Sequence, residues 1–151
     1  MEIRKYEPED SAGVKNFILS ILEKEYPFHR NVYQTSDIND ITGTYSGEDN
    51  VFFVIKKETQ IVGTVGVKRD AADSALLRRL FVEENHRKKG LGTMLLTKAI
   101  EFCRAKNYKE MVFRATDRMF EAMNLCKKLG FQETENLEVS GFRIHKFVLK
   151  L

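Results

Sequence analysis

The chain has 151 residues, 42% hydrophobic and 31% charged, with a formal net charge of +3. That length suits one domain with a real core, residues 1–151, and the balance excludes a disordered or membrane-embedded chain. A pI near 8.8 is too mild for a dedicated nucleic-acid binder, so no nucleic-acid partner is expected.

The opening Met1 to Asp10 lacks the basic-then-apolar layout of a signal peptide, and no apolar run reaches bilayer length. A cytoplasmic protein without a membrane partner is expected. Ile3 to Tyr6 predicts a short strand, and Pro8-Glu9-Asp10-Ser11 a turn into a helix with Val14, Phe17, Ile18, Ile21 and Leu22 on one face. From Tyr26 to Asn50 the periodicity weakens, with a short helix expected around Asp37 to Tyr45; this stretch suits a substrate loop.

Val51 to Ile55 and Ile61 to Val67 predict an antiparallel hairpin turned at Lys57 to Gln60, and Leu76 to Val82 a third strand after it. Gly92 to Lys106 reads as a helix with Leu95, Leu96, Ala99, Ile100 and Cys103 in one stripe. Met111 to Thr116 predicts a strand, and Met119 to Leu129 a helix stopped by Gly130. The tail Phe142 to Leu151 alternates, but its apolar set moves from even to odd positions, which predicts a bulge near His145. Cys103 and Cys126 sit inside helical patterns without a CxxC or Cys/His companion, so neither a disulfide framework nor a metal site is indicated. The order β, α, loop, β, β, β, α, β, α, β is an α/β chain with a mixed sheet and helices on its faces.

The chemistry-bearing stretch is Leu80 to Thr93: strand, loop, helix start. Gly90 and Gly92 let the backbone approach a ligand and aim successive N–H groups into one concavity. The following helix adds unpaired N–H groups and the positive end of its dipole, and Arg87, Lys88 and Lys89 add charge, so the expected guest is an anion. No Gly-Lys-Ser/Thr follows and the three-glycine dinucleotide spacing is absent, which excludes a P-loop and a Rossmann fingerprint.

Arg87-Lys88-Lys89-Gly90-Leu91-Gly92 resembles the Gln/Arg-x-x-Gly-x-Gly/Ala signature of the GCN5-related N-acetyltransferases, and Cys126-Lys127-Lys128-Leu129-Gly130-Phe131 resembles a second one, aromatic-x-Lys-x-Gly-Phe. The resemblance covers essentially the whole chain. It implies a mostly antiparallel twisted sheet of about six to seven strands with about four helices and a splayed central strand pair. It also implies direct transfer of an acetyl group from acetyl-CoA to a primary amine in a ternary complex, with no metal. The implied cofactor-binding residues are Leu80, Phe81, Val82, Arg87, Lys88, Lys89, Gly90, Leu91, Gly92 and Thr93. The Val82 N–H is the implied oxyanion donor. The acceptor would be a small-molecule or peptide amine, and a homodimer is expected.

Two positions depart from the family pattern. Cys126 replaces a common tyrosine, leaving a thiol general acid and an inert core cysteine both open. Leu76 falls where one branch carries a glutamate base, and neither Glu83, Glu84 nor His86 clearly replaces it. Arg78 and Arg79 interrupt an apolar strand; Arg79 is a candidate reader of an acceptor anion, against the alternative of a salt bridge.

Overall fold

The computed structural model describes residues 1–26 and 35–151. Seven strands, β1 (Glu2–Lys5), β2 (Val51–Lys57), β3 (Gln60–Ala71), β4 (Ser74–Val82), β5 (Glu110–Thr116), β6 (Gln132–Val139) and β7 (Phe142–Lys150), form one sheet among the described residues, in the order β1-β2-β3-β4-β5-β7-β6. Every neighbouring pair is antiparallel except β4 and β5. The helices are α1 (Ser11–Glu25), α2 (Ile41–Thr44), α3 (Leu91–Ala105) and α4 (Phe120–Lys128).

The uninterrupted apolar run of β2 follows from burial on both faces. Phe52 and Val54 meet Val14, Ile18 and Ile21 of α1, whereas Phe53 and Ile55 belong to the cluster that holds Leu95, Leu96 and Ala99 of α3. Each fully buried leucine of α3 stabilises the fold by about 1.5–3 kcal/mol relative to exposure. Entry into α1 is fixed by Asp10, which is buried, accepts from the Glu7 N–H and takes a two-pronged hydrogen bond from Arg4 at 2.8 and 2.9 Å.

The sequence reading passed over one strand and misplaced one bulge. The segment after Gly130 holds a strand, β6, in which every residue is exposed, so no inward apolar face marks it. It is an edge strand paired only with β7. The tail has no bulge at His145, because β7 pairs with β5 without interruption from Ile144 to Lys150. The register shift lies instead on β6, between Glu133 and Glu135. The change of parity in β7 arises because both its faces meet apolar surroundings: Phe147 and Leu149 join the α3 core, whereas Ile144 lines a cavity on the opposite face. The expected substrate loop falls partly on residues 27–34, outside the described residues.

Candidate active site

The parallel ladder between β4 and β5 has only three pairs, ending at Leu76 opposite Val112. Both strands continue, β4 to Val82 and β5 to Thr116, so they diverge from that point. A bulge in β4 drives the change of course. Thr64 pairs with Phe81 and Gly66 with Arg78, which sets two residues of β4 against one of β3. Arg79 within the bulge has a φ of +54°, a left-handed conformation that is costly for a long side chain. It is held by the Thr64 hydroxyl, which donates to the Arg79 carbonyl at 2.8 Å, and by its own guanidinium, fixed on Asp37.

Beyond the bulge, the Glu83 N–H donates to the Val62 carbonyl at 2.8 Å. Alternation along an antiparallel pair then turns the Val82 N–H, and that of Leu80, away from β3 and toward the gap.

A cleft of about 530 Å³ opens on the α3 side of this gap. Its walls include Leu80, Phe81 and Val82 from β4, the start of α3, and the N-terminal half of α4. Lys88 and Gly90 have φ of +61° and +83°, so the loop curls tightly into α3 and makes a concavity of backbone N–H groups. Among the described residues no side chain caps the α3 N-terminus, which leaves the N–H groups of Leu91, Gly92 and Thr93 for a guest.

A second cavity of about 540 Å³ lies on the opposite side of the gap, between the diverging halves of β4 and β5, with Val139 and Ile144 at its border. The two cavities share Leu80, Phe81 and Met119. The gap is therefore the place where two ligands, one from each side, can meet.

The sequence-predicted cofactor residues converge on the first cleft with one exception: Lys89 is exposed and lies outside its wall. Arg87 lines the cleft, but its guanidinium is engaged, donating to the Val82 carbonyl at 2.9 Å and to Glu25 at 2.7 Å, with Glu121 at 3.9 Å. It ties β4, α1 and α4 together at the glycine loop. Gly92 serves packing as well as approach, since a Cβ there would lie 3.1 Å from Leu125 of α4.

Arg79 is not presented as an open anion reader. Its Nε and one terminal nitrogen donate to the two oxygens of Asp37 at 2.9 and 2.7 Å, and both residues are buried. Burial alone would raise the Asp37 carboxyl, but hydrogen bonds from Arg79 and the charges of Arg79 and Arg78 hold it below the usual carboxylate range.

Cys126 is fully buried in the α3 core cluster and outside both cavity walls. Burial pushes its thiol up to about 12. Glu83 accepts from the Asn85 N–H and contacts His86, and Glu84 pairs with Lys24, so these acids are occupied outside both cavities. Leu76 stands in the second cavity as an apolar wall.

Sequence reasoning missed Arg114, Thr116 and Met119 as cavity residues. Arg114 carried the same signal as Arg78, a charge inside an apolar strand.

Residues 16–131 match the profile of the Acetyltransferase (GNAT) family. Human N-acetyltransferase 8B is 30% identical over 122 residues, covering 76% of this chain and 53% of that protein. The chain thus spans about half the length of the curated relatives it matches. A Staphylococcus aureus acetyltransferase of the GNAT family superposes with a TM-score of 0.85 at 24% identity, over 99% of both chains. A putative acetyltransferase from Salmonella typhimurium, solved with acetyl-CoA, gives 0.81 at 17% identity over 99% of this chain and 92% of its own. With its splayed strand pair, glycine loop and matching profile, the chain belongs to the GNAT acetyltransferase family.

Proposed function

We propose that the protein transfers the acetyl group of acetyl-CoA to a primary amine by direct attack within a ternary complex. The observation that carries this reading is the pair of cavities that share Leu80, Phe81 and Met119 across the gap between β4 and β5. Acetyl-CoA occupies the α3-side cleft, its pyrophosphate against the N–H groups from Gly90 to Thr93 and its pantetheine arm along Leu80 to Val82. The amine enters from the other side.

The Val82 N–H polarises the thioester carbonyl and accepts the charge that develops on its oxygen. The neutral amine nitrogen forms the new C–N bond and gives up one proton to solvent, the C–S bond breaks, and the thiolate leaves. Cys126 takes no part in protonating that thiolate, because its Sγ is shut inside the core; solvent supplies the proton. No metal is part of this mechanism.

The test is an acetyl-CoA-dependent thiol-release assay across amino acids, polyamines, aminoglycosides and peptides, paired with calorimetry of acetyl-CoA binding. Saturable release with one class supports transfer. Tight binding without release from any class would favour a second reading, a coenzyme A-binding module with weak catalysis, which the buried Cys126 and apolar Leu76 support.

A further inference from the structure

Among the described residues, the wall of the acceptor-side cavity contains three arginines, Arg78, Arg79 and Arg114, and no aspartate or glutamate. Arg79 is neutralised by its two-pronged bond to Asp37. That same carboxylate also accepts from the Tyr45 hydroxyl and stands 3.7 Å from Arg78, so one negative charge faces two guanidiniums. Arg114 has no hydrogen-bond or ion-pair partner among the described residues. The cavity therefore carries about two uncompensated positive charges.

Their placement follows from the ladder. Leu76 faces Val112 in the last pair of the β4–β5 ladder, and side chains two residues further on project from the same face. Arg78 and Arg114 thus stand on opposite sides of the opening gap. Thr116, the last residue of β5, lines the same cavity, and its Oγ1 is buried and has no hydrogen-bond partner among the described residues. A buried hydroxyl without a partner is costly and is satisfied by a ligand that reaches it.

An ammonium entering this cavity would meet only like charge, so a polyamine or a plain lysine chain is a poor fit. We propose that the acceptor carries an anionic group beside its amine, a carboxylate read by Arg78 and Arg114 with Thr116 as a further donor. The remaining walls, Leu76, Val112, Met119, Val139 and Ile144, call for an apolar body. The substrate class is an apolar amino acid with its amine and carboxylate both free. The anion site deepens the acetyl-transfer reading and uses its acceptor cavity.

The experiment has two arms. In the first, leucine, methionine and phenylalanine are compared as acceptors with their amides and with their aminophosphonate counterparts. In the second, N-acetylleucine and N-acetylleucinamide are titrated into the CoA-loaded protein by calorimetry. Amino acids should be preferred over amides, and N-acetylleucine should bind more tightly than its amide. Arg114→Gln, at an exposed side chain, should raise the Michaelis constant or dissociation constant of the carboxylate compounds by roughly 10- to 100-fold and leave the amides and acetyl-CoA unchanged. Arg78→Gln should likewise raise the constants of the carboxylate compounds more than those of the amides, although it also removes a charge 3.7 Å from Asp37.

Equal handling of acids and amides, or an equal loss for both in the variants, would overturn the proposal. So would a preference for the phosphonates, which would make the anion a phosphate. Arginine-dependent binding of N-acetylleucine without any thiol release would leave the anion site standing and sink the transfer reading instead.

Discussion

Arg79 and Asp37 lie 42 residues apart in the chain and meet through two hydrogen bonds of 2.9 and 2.7 Å, donated by two guanidinium nitrogens, one to each oxygen of the carboxylate. The pair joins the segment before α2 to the bulge of β4. Arg79 would not hold a φ of +54° unaided, and the bulge it occupies is what parts β4 from β5. A buried ion pair here works as a geometric pin for the active-site gap.

Asp37→Asn should therefore be strongly destabilising, by about 3–5 kcal/mol, because it leaves a buried guanidinium short of its counter-charge. Urea unfolding measures it. The pH dependence has a definite sign: the folded carboxyl is held below its unfolded value near 3.9, so its contribution is complete above that pH and fades as pH falls through the folded value. The variant should show a flatter acid limb. An Asp37→Asn protein within 1 kcal/mol of the parent would mean that the pin is dispensable.

Gly90 and Gly92 should fail differently. Gly90 has a φ of +83° and open space where a Cβ would go, so Gly90→Ala strains the backbone by about 1 kcal/mol and disturbs the N–H concavity. Its main effect should be a loss of acetyl-CoA affinity. At Gly92 an added Cβ lies 3.1 Å from Leu125, so Gly92→Val should push α4 from α3 and lower stability along with affinity. Gly92→Val with Leu125→Ala should recover part of that stability, as a thermal melt would show. Additive losses would remove α4 packing as the reason for this glycine.

How much of this was legible depended on whether the signal was local. The apolar run Val51 to Ile55, the stripe from Leu95 to Cys103 and the glycine loop announce themselves within a few residues. β6 does not, because Gln132 to Val139 is exposed throughout and rich in residues that strands disfavour. Arg79 looked like a substrate reader since its partner lies 42 residues away, and no local pattern connects Asp37 to it. Arg114 was legible by the rule already applied to Arg78, but the ladder's early end at Leu76 and Val112, which places both beside the gap, is visible only in three dimensions.

Cys126 should prove a packing residue. Its thiol is inside the core and pushed up to about 12 by burial, so it is neutral at working pH and closed to reagents. Cys103 is likewise buried, with its thiol also pushed up to about 12. A thiol reagent should find neither in the folded protein and both after denaturation. Cys126→Ala should lose about 1–2 kcal/mol of stability and less than tenfold of turnover, since the change opens a small cavity. A drop of roughly 100-fold or more, with acetyl-CoA affinity intact, would restore a proton-transfer role.

His145 should contribute a stability change on the alkaline side of its titration. Its Nε2 faces the Asp117 carboxylate and its Nδ1 lies 3.2 Å from Glu133, and only the imidazolium can donate from both ring nitrogens. The Asp117 hydrogen bond, then those from Glu133 and the two negative charges, raise the His145 value above 6.5 despite some desolvation. Lys127, which sits 5.7 Å over the Phe147 ring and acts on Glu133, is a nearby opposing charge. Because the folded value is raised, the stabilisation is complete below the unfolded value near 6.5 and is lost as pH rises through the folded one. The site is near the surface, so the expected fall in melting temperature across that window is only roughly 2–4 °C. His145→Gln should remove the slope, and Asp117→Asn should bring the imidazole titration, followed by NMR, back toward its ordinary value. Asp117 directly precedes Arg118 and Met119, which line the α3-side cleft, so the same proton fastens β7 to the approach of α4. An unchanged melting temperature in His145→Gln across this range would show that the two carboxylates are held in place without the ring's charge.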